Sequence, residues 1–168
     1  MKLTSDVVKK ISSIKGEPKW MLDFRLTSLD AFNKSSNPNF GPKLDIDYDS
    51  ITYYKEREEK LTDNWNNISC GVRNLFDDLG VISAEKNYLD GIGAQYDSEV
   101  IYHNMNKELK EKNIIFLDTD TALREHPELF KKYFNTLVKY DENKFTALNG
   151  AVWSGGTFIY IPPNTHLD

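Results

Sequence analysis

Apolar residues recur at helical spacing from the start of the chain: Val7, Val8, Ile11 and Ile14 share one face of a helix that Ser5 can cap and Gly16 can end. Pro18 then stands where a first helical turn tolerates it. Trp20, Leu22, Phe24, Leu26, Leu29 and Phe32 predict a second helix whose large side chains belong in a core. The pattern breaks at Ser35. SSNPNFGP reads as a loop, and LDIDYDSITYYKE alternates too irregularly for a strand, so extended chain is expected to about Lys60. After Trp65, the spacing of Val72, Leu75, Phe76 and Leu79 predicts a helix ending at Gly80, then a shorter one capped by Ser83 and running to Gly91.

GIGAQYDSEVIYHN predicts a glycine turn followed by a strand through Val100, Ile101 and Tyr102. NKELKEKN is helical and polar, and Ile114 to Leu117 is a second short strand. Asp120 is placed to cap a helix from Thr121 that Pro127 restarts or kinks. Leu129, Phe130, Tyr133, Phe134 and Leu137 give that helix a wide apolar face. The last stretch, 141–168, passes from a short helical run through Gly155-Gly156 to Thr157, Phe158, Ile159, Tyr160 and Ile161, a β-branched and aromatic run closed by Pro162-Pro163. A strand must pair its N–H and C=O groups. No second strand of matching quality follows it, so the polypeptide is expected to continue beyond Asp168, and strand 157–161 is expected to promote self-association.

Composition narrows the picture. At 168 residues the chain suits one domain with an appendage, and 39% hydrophobic with 12% aromatic content is too apolar for a disordered chain. The formal net charge is −5 with both signs interleaved, which leaves no basic stripe for nucleic acid. Cys70 is the only cysteine, which excludes an internal disulfide or a Cys-rich zinc module and fits a reducing, cytoplasmic setting. No apolar run has the length of a signal sequence or a membrane span.

Several constellations invite chemistry. Asp45, Asp47, Asp49 and Glu56 hold the first, third, fifth and twelfth places of a calcium loop, yet Ser50 replaces the glycine its sharp turn requires, and a solvated acidic loop is the better reading. Gly91 and Gly93 begin a dinucleotide fingerprint that Tyr96 breaks. Cys70 near a helix start could be a nucleophile, and His103 in its Tyr-His-Asn setting could be a base, but an unremarkable cysteine and a hydrogen-bonded structural histidine are the better readings. A small thiol- or metal-dependent enzyme using Cys70 and His103 is therefore one alternative, and a strand-pairing interaction module is another. His103, His126 and His166 are too scattered for a helix-borne metal pair, and a single thiol is a poor host for an iron-sulfur cluster.

The blocks KGEPKWMLDFRLTSLDAF (15–32), FDDLGV (76–81), GIGAQYDSEVIYHN (91–104), IFLDTDTALREHPELFKKYF (115–134) and ENKFTALNGAVWSGGTFIYIPP (142–163) resemble the SufB family of the SUF iron-sulfur cluster assembly machinery. EPKWML and GAQYDSEV resemble SufB more than its paralogue SufD. The resemblance implies an α+β chain: a mainly helical N-terminal domain with short strands over 1–140, then the lead-in, over 141–168, to a truncated right-handed parallel β-helix. It implies a scaffold rather than an enzyme, working with the SufC ATPase, with SufD or a second SufB, and with a sulfur donor protein, where ATP hydrolysis by SufC drives a change of shape. It implies an iron-sulfur cluster for the full-length protein, whose sulfur-accepting and ligand residues lie past Asp168. No catalytic, cofactor-binding or metal residue is thereby assigned within 1–168, and Cys70 inherits no role.

Overall fold

The first helix, α1 (Ser5–Lys15), stops where Gly16 adopts the left-handed conformation, φ 61°, and gives its N–H to the carbonyls of Ser12 and Ser13. Thr4, not Ser5, occupies the capping position, and Ser5 is the first helical residue. Pro18 likewise precedes α2 (Lys19–Lys34) as its cap rather than lying in its first turn. The buried stripe of α2 is Met21, Arg25, Ser28, Leu29 and Phe32, while Trp20, Leu22, Phe24 and Leu26 are half-buried. The face is therefore rotated from the expected one and contains a charged residue. The computed structural model describes residues 2–56, 60–80, 91–105 and 107–166; the helix expected from Ser83 to Gly91 lies mostly outside them.

Residues 35–56 run without helix or strand, as their composition predicts. A 3-10 turn (Trp65–Asn67) leads into α3 (Cys70–Asp78), which buries Val72 and half-buries Phe76 but leaves Leu75 and Leu79 exposed. The expected glycine turn at GIGAQY is instead a strand, β1 (Gly91–Tyr96), paired antiparallel with β2 (Glu99–Met105). Asp97 and Ser98 make the turn between them, with Asp97 at φ 52°. Gly91 serves close approach instead: a Cβ there would lie 2.8 Å from the Phe116 ring.

Helix α4 (Lys107–Glu111) precedes β3 (Ile115–Asp118). Asp118, rather than Asp120, caps the next helix, α5 (Thr119–Glu125), through its Oδ1, which accepts the Thr121 N–H at 2.9 Å. His126-Pro127 separates α5 from α6 (Pro127–Tyr133), so the expected kink is a break. Asn143 opens α7 (Lys144–Val152) with a reciprocal capping box to Thr146. The final strand, β4 (Thr157–Tyr160), is not without a partner in the chain. It pairs antiparallel with β3, Asp118 opposite Thr157 and Ile115 opposite Tyr160. The partner lies some forty residues upstream, where a search of the sequence that follows β4 cannot find it.

Among the described residues the chain is thus α+β, with seven helices and two two-stranded antiparallel sheets. It divides into two compact units, residues 1–55 with 123–154 and residues 56–122 with 155–168. In the first, Leu3, Val8, Leu29, Phe32, Tyr53, Ala147 and Ala151 form the core. In the second, Trp65, Ile68, Val72, Ile92, Ala94, Ile101 and Tyr102 do so.

The first core depends on close packing of α2 against α7. A Cβ at Gly150 would lie 2.5 Å from Ser28 Oγ and 2.9 Å from its Cβ. Ala is ordinarily favoured over Gly inside a helix by about 1 kcal/mol. Here Gly150→Ala is expected to destabilise the chain by ~1–3 kcal/mol through overpacking, with much of the loss recovered in Gly150→Ala/Ser28→Gly. Urea unfolding of the three chains checks this; a Gly150→Ala protein as stable as the parent would show that the helices are not in such contact.

Candidate functional site

A buried polar group lies in the first unit. Arg25 is fully buried at the centre of the α2 stripe, and its Nε and one terminal nitrogen donate to the two oxygens of Glu17 at 2.7 and 2.6 Å. The two side chains are 0% and 1% exposed, so neither charge is solvated by bulk water. The other terminal nitrogen donates to the Ala151 carbonyl at 3.2 Å, and the guanidinium lies 4.6 Å from the Trp153 ring centroid. Lys15 Nζ donates to the Ser154 carbonyl at 3.0 Å and lies 5.9 Å from the same ring. Two cations thus hold the end of α7 and the chain leaving it.

Sequence reasoning placed neither Glu17 nor Arg25 in this role. The available signal was the spacing Met21, Arg25, Ser28, Leu29, Phe32, which puts a cation in mid-stripe and requires a buried counter-charge.

In the second unit, His103 lies on β2, its ring 4.6 Å from that of Phe116 on β3. Its backbone N–H donates to the Thr62 carbonyl at 3.1 Å, while its Nε2 is buried with no hydrogen-bond partner among the described residues. Burial holds the imidazole below its ordinary pKa; Asp118 opposes that shift and Lys110 adds to it.

Cys70 is exposed at the start of α3, with an Arg73 terminal nitrogen 3.2 Å from Sγ. The thiol thus accepts from an arginine on its own helix, and among the described residues no hydrogen bond links it to His103. His126 precedes α6 without a side-chain capping bond, and the His166 carbonyl accepts from Lys112. Among the described residues no group of three His, Cys, Asp or Glu side chains could hold a metal ion. In the acidic loop, Asp47 Oδ1 accepts the Asp49 N–H at 3.0 Å, and the Asp47 carbonyl accepts from Ser50. This is a local turn stabilised by its own side chain. Gly91 and Gly93 lie within β1 rather than in a phosphate-binding turn. No described helix is long and apolar enough to cross a membrane.

These features define an α+β protein in which a buried polar cluster ties its own helices together. Residues 43–168, which are 126 of the 168, match the family described as SufBD protein N-terminal region. An iron-sulfur cluster assembly SufBD family protein of Staphylococcus aureus is 53% identical over 167 residues, covering 99% of this chain and 36% of the relative. One from Staphylococcus saprophyticus is similar to the same extent, 53% identical over 167 residues. The chain belongs to the SufBD family of iron-sulfur cluster assembly proteins. It spans 36% of the length of these curated relatives.

Two outcomes follow from the geometry. Glu17→Gln leaves Arg25 buried without a full counter-charge and is expected to cost about 3–5 kcal/mol of stability. Glu17→Gln/Arg25→Met, which removes both charges, should cost clearly less in the same urea titration. If Glu17→Gln is no worse than Asp30→Asn, at the exposed ion pair with Lys34, the buried pair does not hold the unit.

The second outcome concerns pH. The unfolded chain takes a proton on His103 before the folded one does, so stability is complete above the ordinary imidazole value, 6.5, and falls as pH drops through it. The loss stops growing below the depressed folded value. His103→Gln should flatten the fall of the urea midpoint as pH drops through the ordinary imidazole value; an unaltered slope would show that His103 is not its source.

Proposed function

We propose that this chain is the N-terminal region of a SufB-type scaffold on which iron-sulfur clusters are assembled and from which they are passed on. The observation that carries the reading is 53% identity across 99% of the chain to proteins named for iron-sulfur cluster assembly. The EPKWML and GAQYDSEV blocks favour SufB over SufD. In this reading the chain works in the cytoplasm with the SufC ATPase, with SufD or a second SufB, and with a sulfur donor, and most of those contacts belong to the remainder of the scaffold. The cluster is cargo, and no residue of 1–168 has a catalytic, cofactor-binding or metal-ligating role.

Residues 141–168 are the lead-in to a parallel β-helix. One edge of β4 is paired with β3, and no strand occupies the other among the described residues. Thr157 and Ile159 are exposed on one face of β4, with exposed Ile161 next in the alternation, which suits a strand awaiting another layer. Coupling to an ATPase requires that its nucleotide-bound form interact differently with two scaffold conformations.

Anaerobic reconstitution with iron and sulfide tests the reading when this chain, its Cys70→Ala variant and the full-length S. aureus relative are compared by visible absorbance and bound iron per chain. The relative is expected to gain a cluster, and neither form of this chain is. A cluster on this chain that Cys70→Ala removes would make Cys70 a ligand and overturn the assignment of all cluster chemistry to the rest of the scaffold.

A further inference from the structure

We infer that the end of α6 and the chain that leaves it, residues 133–139, form a docking site for a protein partner that presents an apolar pocket rimmed by Asp and Glu side chains. Leu137 is 91% exposed, Val138 61% and Tyr133 49%. Three large apolar side chains within six residues are thereby offered to solvent, and the backbone carrying them is fixed. Asn135 adopts φ 57°, its Nδ2 donates to the Val138 carbonyl at 2.8 Å, and its Oδ1 accepts the Tyr140 N–H at 2.9 Å. Thr136 Oγ1 donates to the Tyr133 carbonyl at 2.8 Å, and the Lys139 N–H donates to Glu142 Oε1 at 2.9 Å. Beneath the segment, the Phe134 ring packs against Phe24, Phe130 and Trp153, with centroids 5.0 to 5.2 Å apart. Ordering costs that usually oppose association are thus already met, and exposed apolar anchors on a fixed backbone are what interface hot spots require.

Charge selects the partner. KKYFNTLVK (131–139) carries three lysines and no acid in a chain of net charge −5. Lys131, Lys132 and Lys139 are all exposed, with Lys132 Nζ 5.0 Å from the Tyr133 ring. Glu128 and Asp141 lie outside the segment, and the one acid bonded to it among the described residues, Glu142, has its Oε1 taken by the Lys139 N–H. A basic rim around apolar anchors is complementary to an acidic rim around an apolar pocket. A membrane surface is the weaker match, because lipid binding of this kind uses the length of an amphipathic helix rather than one fixed loop.

The probe is a synthetic helical peptide with leucine on one face and glutamate on the other, titrated into isotopically labelled protein while amide resonances are followed. A second peptide carries lysine in place of every glutamate. The acidic peptide is expected to shift resonances of 131–139, more weakly at high salt, with binding lost in Leu137→Ser/Val138→Ser and reduced about tenfold in Lys131→Glu/Lys132→Glu, a change of about 1.4 kcal/mol. Both variants alter exposed residues, and unchanged circular dichroism confirms their fold. No shift in the loop, or equal shifts with the lysine peptide, overturns the proposal. Binding to anionic phosphatidylglycerol vesicles that Leu137→Ser/Val138→Ser abolishes would make the segment a membrane contact instead. Self-association in sedimentation that the same variant dissolves would make the occupant a second copy, and that also refutes it.

Discussion

A fully buried arginine sets the terms for the first unit. Taking a charge out of water costs several kcal/mol even after relaxation, so Arg25 is tolerable only if its donors are met by well-placed acceptors. Glu17 supplies the bidentate match, and its position is fixed by the Gly16 exit from α1 and by Pro18 at the start of α2. The remaining nitrogen reaches a carbonyl in the last turn of α7, where helical carbonyls lack partners of their own, 126 residues further along the chain. One side chain thereby joins the α1–α2 corner to the end of α7, while Gly150 allows the two helices to approach closely enough for that reach. Trp153 then covers the guanidinium, and Lys15 holds the Ser154 carbonyl. The same few contacts that neutralise a buried charge also fix the backbone at 153–154.

The second unit rests on a different constraint, the register of a hairpin. Ala94 lies opposite Tyr102, but Gln95 lies opposite Val100, so Ile101 is an extra residue whose fully buried side chain enters the core. Val100, Ile101 and Tyr102 can all be buried in succession because the bulge interrupts the alternation between faces. On its other edge β2 gains a short bridge to Thr62, which accepts the His103 N–H and donates to the Ile101 carbonyl. His103 is consequently held between backbone neighbours and the Phe116 ring. Its environment accounts for its depressed basicity without invoking catalysis.

Helices with wide apolar faces and ordinary end signals were legible in the sequence: α1 with Gly16, α2 with its aromatic run, α3 with Gly80, and the irregular stretch after Ser35. What misled was chemistry whose meaning depends on distant partners. The glycines of GIGAQY suggested a turn, yet Gly91 exists to admit Phe116 from β3. Strand β4 looked partnerless because its partner precedes it, and pairing between strands so far apart leaves no local pattern. Asp120 and Asp118 are both plausible caps, and only the backbone path decides for Asp118. Cys70 and His103, the two residues of the thiol-enzyme alternative, have different partners, Arg73 for one and the Phe116 ring and Thr62 for the other. Arg25 passed unnoticed because apolar periodicity weighs only apolar residues.

The residues that carry the resemblance to iron-sulfur assembly proteins turn out to be those that carry the fold. Within KGEPKWMLDFRLTSLDAF lie Gly16, Glu17, Arg25 and Ser28, which are a helix stop, both halves of the buried ion pair, and the side chain facing Gly150. GIGAQYDSEVIYHN is the bulged hairpin with its Asp97-Ser98 turn. ENKFTALNGAVWSGGTFIYIPP contains the capping box of α7, Gly150, Trp153 and the strand that meets β3. In this chain each of these residues has a packing, capping or pairing role. Family membership therefore speaks most directly to architecture. A surface that meets other proteins is found by a different criterion, apolar side chains exposed on a backbone that is itself well fixed, and the α6–α7 segment is where this chain meets it.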